Sequence, residues 1–271
     1  MYTLCSRLAY PTRYYHHTKN IGRGRSWISE VFNGSVERIY RDWKDLIHWR
    51  PQLNDYTELC RYARHLGDAG WGDNRVWSAI DSTFFGFCHP MSSRHQLQTY
   101  SGYYKGNGLK YQSITTPDGL ISHVSEPFLT PSNDWDIYSE SGVADKLRTI
   151  FVNREPLFVF GDNAYRESYG CIPPWSDQRG FQWLTYEQLR SNHQLSGARI
   201  MVETSFGKIE NYLTCNHFEQ SLQSASQPVA AYFLVSVFLH NILTCLRGRA
   251  DIIASRFDCQ PPSVEAYLGW N

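Results

Sequence analysis

Three acidic residues stand where a divalent cation could be held. Asp81 follows the apolar run VWSAI, Asp162 follows PLFVFG, and Glu203 lies within ARIMVETSFGKIENYL. Carboxylate oxygens are hard ligands that suit Mg²⁺ or Mn²⁺. Packed together they repel one another and need a cation to stay ionised near neutral pH. Two such ions about 4 Å apart activate a water and stabilise the leaving oxygen in phosphodiester cleavage. No phosphate-binding loop, dinucleotide-binding glycine fingerprint, nucleophile elbow or H-E-x-x-H offers a competing chemistry. Each acid also has a plain structural reading. Asp81 and Asp162 are placed like turn residues, Glu203 pairs with Arg199 one helical turn earlier, and a fourth acid, Asp134, is placed like a helix N-cap.

The elements that must position these groups are a sheet and a helix. VWSAID reads as a short strand ending in its acid, and KYQSITTPDGLISHVSEPF as a hairpin turned at Pro117-Asp118-Gly119. A helical run, WDIYSESGVADKLRTIF, follows Asp134. PLFVFGD is an apolar strand bounded by Pro156 and Gly161-Asp162. A helix over roughly 198–213 and a long apolar helix near 229–246 come last. The order strand, strand, strand, helix, strand, helix is that of an RNase H-like α/β core, in which the first and fourth strands are neighbours. Sites in open α/β sheets gather beyond the carboxyl ends of strands, so Asp81 and Asp162 are expected at one sheet edge. On the 198–213 helix, Val202, Phe206, Ile209 and Leu213 form an apolar stripe. Glu203 lies about 100° from Val202, beside that stripe. Glu210 faces the same way but roughly 10 Å further along the axis, so Glu203 is the expected third acid.

The predicted fold is therefore α/β, an RNase H-like mixed sheet flanked by helices over residues 75–271, behind a helical region over 1–74. That first region places Arg7, Arg13, Lys19, Arg23 and Arg25 among its first 27 residues with no acid, although the whole chain has a net charge of zero. A basic end on a mildly acidic body suits phosphate binding at one and metal binding at the other. A turn at Gly22-Arg23-Gly24, with Ser26 as a candidate N-cap, divides helical stretches in a helix-turn-helix-like pattern. Further helices are expected near 36–49 and 55–66. The seven cysteines are odd in number and contain no C-x-x-C pair, which speaks against a disulfide framework and a zinc knuckle. Val229–Leu246 is near the lower length limit of a membrane span. Ser236, His240, Asn241 and Thr244 interrupt it, so a buried core helix is expected and a membrane is not.

These pieces together resemble the DDE endonuclease domain of PIF/Harbinger transposases. The matching segments are RLAYPTRYYHHTKNIGRGRSWISEVFN, VWSAIDST, YSGYYKGNGLKYQSITTPDGLI, NDWDIYSESG, VFGDNAY, NHQLSGARIMVETSFGKI and FLHNILT, in that order. G-D-N-A-Y followed by R-x-x-x-E-x-x-F-G and L-H-N-I is the specific combination. The resemblance implies that Asp81, Asp162 and Glu203 are the catalytic triad and that Asp134 joins them at the metal site. The family's first motif usually reads Asp-Gly-Thr, where this chain has Asp81-Ser82-Thr83. Relatives carry more helical sequence ahead of Leu4-Cys5-Ser6, so an N-terminally truncated region is expected. The resemblance further implies two Mg²⁺ or Mn²⁺ ions, cleavage and strand transfer at transposon ends, a homo-oligomer, a separate Myb-like DNA-binding partner and a nuclear location. The alternative is a domesticated or inactive transposase-derived module that binds DNA or protein without cutting. An RNase H-type nuclease acting on RNA shares the metal chemistry, but the basic helical N-terminus and the motif wording disfavour it.

Overall fold

The computed structural model describes residues 1–71, 74–176, 184–217, 219, 222–224 and 227–270. The chain opens on helices α1 (Tyr2–Ala9), α2 (Tyr14–Ile21), α3 (Arg25–His48) and α4 (Tyr56–Asp68). Where the sequence predicts two helical stretches between residues 26 and 49, α3 runs unbroken through Asn33-Gly34. Ile28, Phe32, Val36 and Ile47 are buried along it, and Asn33 Oδ1 accepts the Tyr232 hydroxyl at 2.5 Å. Burying that stripe outweighs a mid-helix glycine, which costs about 1 kcal/mol relative to alanine. Helix α4 is capped by Asp55, whose carboxylate accepts from the Thr57 amide at 2.9 Å.

The sheet follows. Strand β1 spans Val76–Phe87, then α5 (Ser93–Thr99), β2 (Tyr100–Ser101), β3 (Gly106–Thr115), β4 (Ile121–Val124) and β5 (Phe128–Leu129). Next come α6 (Asp134–Glu140), α7 (Val143–Ile150), β6 (Phe158–Phe160), β7 (Cys171–Ile172), α8 (Tyr186–Tyr212), α9 (Val229–Arg247), α10 (Ile252–Arg256) and α11 (Val264–Leu268). Among the described residues the strands form one seven-stranded sheet in the order β2-β3-β1-β6-β7, with β4 and β5 joined to β3. Strand β1 is antiparallel to β3 and parallel to β6, and β6 is parallel to β7. The first strand thus lies beside the strand that follows the connecting helices. This mixed sheet, flanked by helices and preceded by a helical region, is the expected class and is consistent with an RNase H-like fold.

Three boundaries differ from the sequence reading. Strand β1 does not end at Asp81 but continues to Phe87, because its second half stays paired with β3 down to Phe87↔Asn107. The helical run after Asp134 is two helices, divided where Gly142 takes φ 73°. Helix α8 starts twelve residues earlier than the apolar stripe suggests, at a capping box in which Thr185 and Gln188 satisfy each other's backbone amides.

Two buried clusters hold the layers together and meet at Phe206. One gathers α4, β1, β6 and the middle of α8 around Trp77, Phe160 and Met201. The other gathers α1, α3, α9 and the far end of β1 around Phe32, Phe85 and Tyr111. The segment Val229–Ala250 is long and apolar enough to cross a membrane, yet 72% of its most apolar window is buried inside the fold. Its polar residues are used there. Asn241 accepts from the Ile121 amide at 2.9 Å and donates to the Ile121 carbonyl at 2.8 Å, closing the outer edge of β4. The β3–β4 turn is tied to the N-terminal helices by a buried ion pair, Arg50–Asp118 at 2.8 Å. Tyr62 donates to the same carboxylate at 2.7 Å.

Candidate metal centre

The register of the sheet explains how two acids 81 positions apart in sequence meet. The last parallel pair of β1 and β6 is Ala79↔Phe160. Two residues beyond it on each chain lie Asp81 and Asp162, at the point where β6 ends and β1 continues. Asp134, at the first residue of α6, completes the group. One carboxylate oxygen from each of Asp81, Asp134 and Asp162 lies within 4.8 Å of the others. An octahedral Mg²⁺ with ligands at about 2.1 Å needs oxygens no more than about 4 Å apart. Small side-chain rotations therefore fit this all-oxygen set to a hard divalent ion.

Asp134 does not serve as the N-cap that its position suggests. Asn133 takes that role, its side chain accepting from the Asp136 amide at 2.9 Å. The Asp134 carboxylate is left to face the other acids, held by Lys110 Nζ at 2.6 Å. Asp162 accepts from the Ala164 amide at 2.9 Å. Asp81 accepts from the Ser82 amide at 2.8 Å and from Arg199 Nη2 at 3.2 Å. Burial pushes the Asp81 carboxyl above its usual range, the Ser82 amide and Arg199 oppose that, and Asp162 adds to it. A cation beside Asp81 would offset the cost of charging this buried carboxyl.

The motif G-D-N-A-Y now has a structural reason. A Cβ at Gly161 would meet the Tyr165 ring at 2.4 Å, so glycine lets that ring fold back over the end of β6. The Tyr165 hydroxyl accepts from Gln112 Nε2 at 3.1 Å, and the same nitrogen donates to the Asp134 backbone carbonyl at 3.0 Å. The loop after β6, the centre of β3 and the start of α6 are locked together around the acids.

Glu203 stands apart. It lies outside the three-carboxylate group, and its side chain is 55% exposed. Its link to the site is Arg199, whose Nη2 is 3.4 Å from Glu203 and 3.2 Å from Asp81. Glu210 faces His217 instead, at 3.3 Å. The pairing of Arg199 with Glu203 was legible from their spacing, but the reach of Arg199 to Asp81 was not. Lys110 and Gln112 were missed altogether, since no linear spacing relates them to Asp134.

Of the five basic residues near the N-terminus, Arg13, Lys19, Arg23 and Arg25 are exposed. Arg7 is a correction. It is 5% exposed, donates to the Thr12 carbonyl and lies 4.4 Å above the Tyr14 ring. Its cation is spent on holding α1 to the start of α2 and is not offered to a phosphate.

Against known proteins, residues 80–241 match the family described as DDE superfamily endonuclease. No curated protein and no solved structure matches the chain. The matched range contains Asp81, Asp134, Asp162 and Glu203.

Proposed function

This chain belongs to the DDE superfamily endonucleases, and we propose that it is a divalent-metal-dependent DNA endonuclease and transposase of the PIF/Harbinger type. The convergence of Asp81, Asp134 and Asp162 at the end of β6 carries this reading. Mg²⁺ or Mn²⁺ held there would supply an activated water and neutralise charge on the phosphate under attack. The protein's own groups divide the remaining work. Asp81, Asp134 and Asp162 offer hard oxygens from three elements, and Glu203 on α8 is the fourth acid. Lys110 pairs with Asp134, and Arg199 with Asp81 and Glu203, so the two cations offset carboxylate charge at the site. Arg13, Lys19, Arg23 and Arg25 fit sequence-independent phosphate contacts.

The order of motifs from VWSAIDST to FLHNILT supports the PIF/Harbinger assignment. With it come the rest of the proposal: cleavage at transposon ends, strand transfer to target DNA, a homo-oligomer, a Myb-like partner and work in the nucleus. The test is cleavage of a duplex carrying the flanking terminal inverted repeats in Mg²⁺, with and without the Myb-like protein. Asp162→Asn should abolish cutting while DNA binding persists. Normal cutting by that variant, or no cutting by the parent in either metal with the partner present, would overturn the proposal. A second reading is favoured by the exposure of Glu203 and its absence from the carboxylate group. The chain would then be a domesticated copy that binds DNA without cutting, and the same assay would show retention of DNA with no cleavage.

A further inference from the structure

Beside the acidic group lies a set of aromatic rings that the cleavage chemistry does not use. Phe84, three residues along β1 from Asp81, is paired across the sheet with Lys110. Lys110 is the residue whose ammonium holds Asp134 at 2.6 Å. Directly opposed residues point to one face with Cβ atoms about 5 Å apart, so the Phe84 ring lies beside the Lys110 side chain that reaches Asp134. Burial pushes the neighbouring Tyr104 phenol up, and Asp134 and Asp81 are near enough to add to it. The Phe84 ring lies across the backbone of β3, where a Cβ at Gly108 would meet its Cε2 at 2.4 Å. Only glycine admits the ring there. Tyr104, in the loop between β2 and β3, stacks on it with centroids 4.3 Å apart and planes 5° from parallel. Tyr103 stands at 84° to Tyr104, centroids 4.9 Å apart.

The two tyrosine rings are not covered, and half-buried Phe84 backs them against β3. Tyr103 is 86% exposed and Tyr104 47%. The Tyr104 amide donates to Ser101 Oγ at 3.2 Å. Lys105 closes the loop at φ 53°, a left-handed conformation that non-glycine residues seldom adopt and that clusters at functional sites. Its side chain is also exposed. An ordered aromatic stack with a cation at its rim is the chemistry that binds single-stranded nucleic acid. Ring faces take any base by stacking, and the cation follows the backbone.

We propose that Tyr103, Tyr104 and Phe84 form a stacking platform for an unpaired nucleobase next to the phosphodiester at the acidic site, with Lys105 against the strand's phosphate. The proposal rests on the endonuclease reading for the presence of a DNA strand there. Opening a duplex costs a base its stacking, and an aromatic surface restores part of that. The platform therefore sets which nucleotide is displaced when the strand enters, with little preference for base identity.

The test uses the full chain and a short single-stranded oligonucleotide carrying 5-iododeoxyuridine, which cross-links on irradiation to a stacked aromatic ring. Cross-links should map to Tyr103 or Tyr104. In titrations of the same strand, Tyr103→Ala and Tyr104→Ala should each weaken binding by at least about five-fold, the lower end of the range for base–aromatic stacking. Tyr104→Phe keeps the ring and should bind like the parent. Tyr103 is so exposed that its removal should leave the melting temperature unchanged, which separates lost stacking from lost folding. The salt dependence of binding should be unaltered in the aromatic variants and shallower in Lys105→Gln. Cross-links confined to other residues, or parental affinity in both alanine variants, would overturn the platform. Cleavage of duplex DNA is read separately. A parent that cross-links at these tyrosines but never cuts rejects the cleavage reading and keeps the platform. A parent that cuts while both alanine variants bind and cut as it does rejects the platform alone.

Discussion

Glu203 and Asp81 share one guanidinium nitrogen, and that arrangement decides what a substitution at Glu203 can reveal. Glu203→Gln keeps the length and helix preference of the side chain. It loses the charge that a hard ion requires. The pair it breaks with Arg199 is more than half exposed on the glutamate side, and exposed pairs contribute little to stability. The expected outcome is loss of Mg²⁺-dependent cleavage with an unchanged melting temperature in the absence of metal. Glu210→Gln, on the same face but paired with His217, should cut like the parent. Equal cutting by both variants would remove Glu203 from the site. The basic residues give a second test at this scale. Replacing exposed Arg13, Lys19, Arg23 and Arg25 together by glutamine should weaken DNA binding and flatten its salt dependence. Arg7→Gln should instead lower stability, because its guanidinium is packed between Tyr14 and Phe32. An unchanged salt slope in the fourfold variant would leave the basic face as a solubility feature.

At the scale of elements, helix α9 shows how a polar residue in an apolar run can be structural. Asn241 is 1% exposed and supplies the backbone partners that edge strand β4 lacks on its outer side. It also donates to the Tyr267 hydroxyl at 3.0 Å, which brings α11 against α9. Asn241→Leu would be nearly the same size but would leave the Ile121 amide and carbonyl buried without partners. Each orphaned group costs on the order of 1–3 kcal/mol, so the variant should melt well below the parent. A melting temperature equal to the parent's would show that β4 is held by its pairing with β3 alone.

At the scale of the whole molecule, buried charge joins the helical region to the sheet. Arg50 precedes α4, Asp118 lies in the β3–β4 turn, and both are almost fully buried. Burial alone would raise the Asp118 carboxyl, but Arg50, Thr116 and Tyr62 more than reverse this and hold it below its usual range. Asp118→Asn leaves the buried Arg50 charge only the longer pairing with Glu58, at 3.7 Å and shared with Arg61. The loss approaches the roughly 3–5 kcal/mol of a broken buried pair, measurable by denaturant unfolding. We propose residues 1–74 and 75–271 as the two structural regions, and this ion pair predicts that the second does not fold cooperatively without the first. The same buried groups set the response to acid. Burial pushes His123 down to about 3 and His240 down to about 4. Below about pH 6.5 the unfolded chain takes up protons at both imidazoles while the folded chain does not. Stability is therefore full above about pH 6.5, falls as the pH drops, and stops falling from these groups only below about pH 3. The depressed Asp118 carboxyl acts in the same direction at the acid end of that window. A melting temperature that stays flat between pH 7 and pH 4 would contradict this.

How much of this was legible in the sequence follows from the range over which each interaction acts. The four main strands, the turn at Pro117-Asp118-Gly119, the apolar stripe of α8 and the burial of α9 were legible, because alternation, helical periodicity and turn chemistry act over a few residues. The short strands β2, β5 and β7 were not. Asp81 and Asp162 were expected at the carboxyl ends of neighbouring parallel strands, and they meet where β6 ends although β1 runs on. The length of β1 was not legible, because nothing local ends it or extends it. Its partner β3 does, across the sheet. Asp134 illustrates the same limit. Its neighbours in sequence made it look like an N-cap, and Asn133 won that role, while Lys110 and Gln112 from the middle of β3 decided where Asp134 sits. Arg7 reads as one more cation in a basic run until Tyr14 and Phe32 close around it. In each case the residue type fixed what chemistry was available, and contacts between segments far apart in the chain decided which of those chemistries the side chain took up.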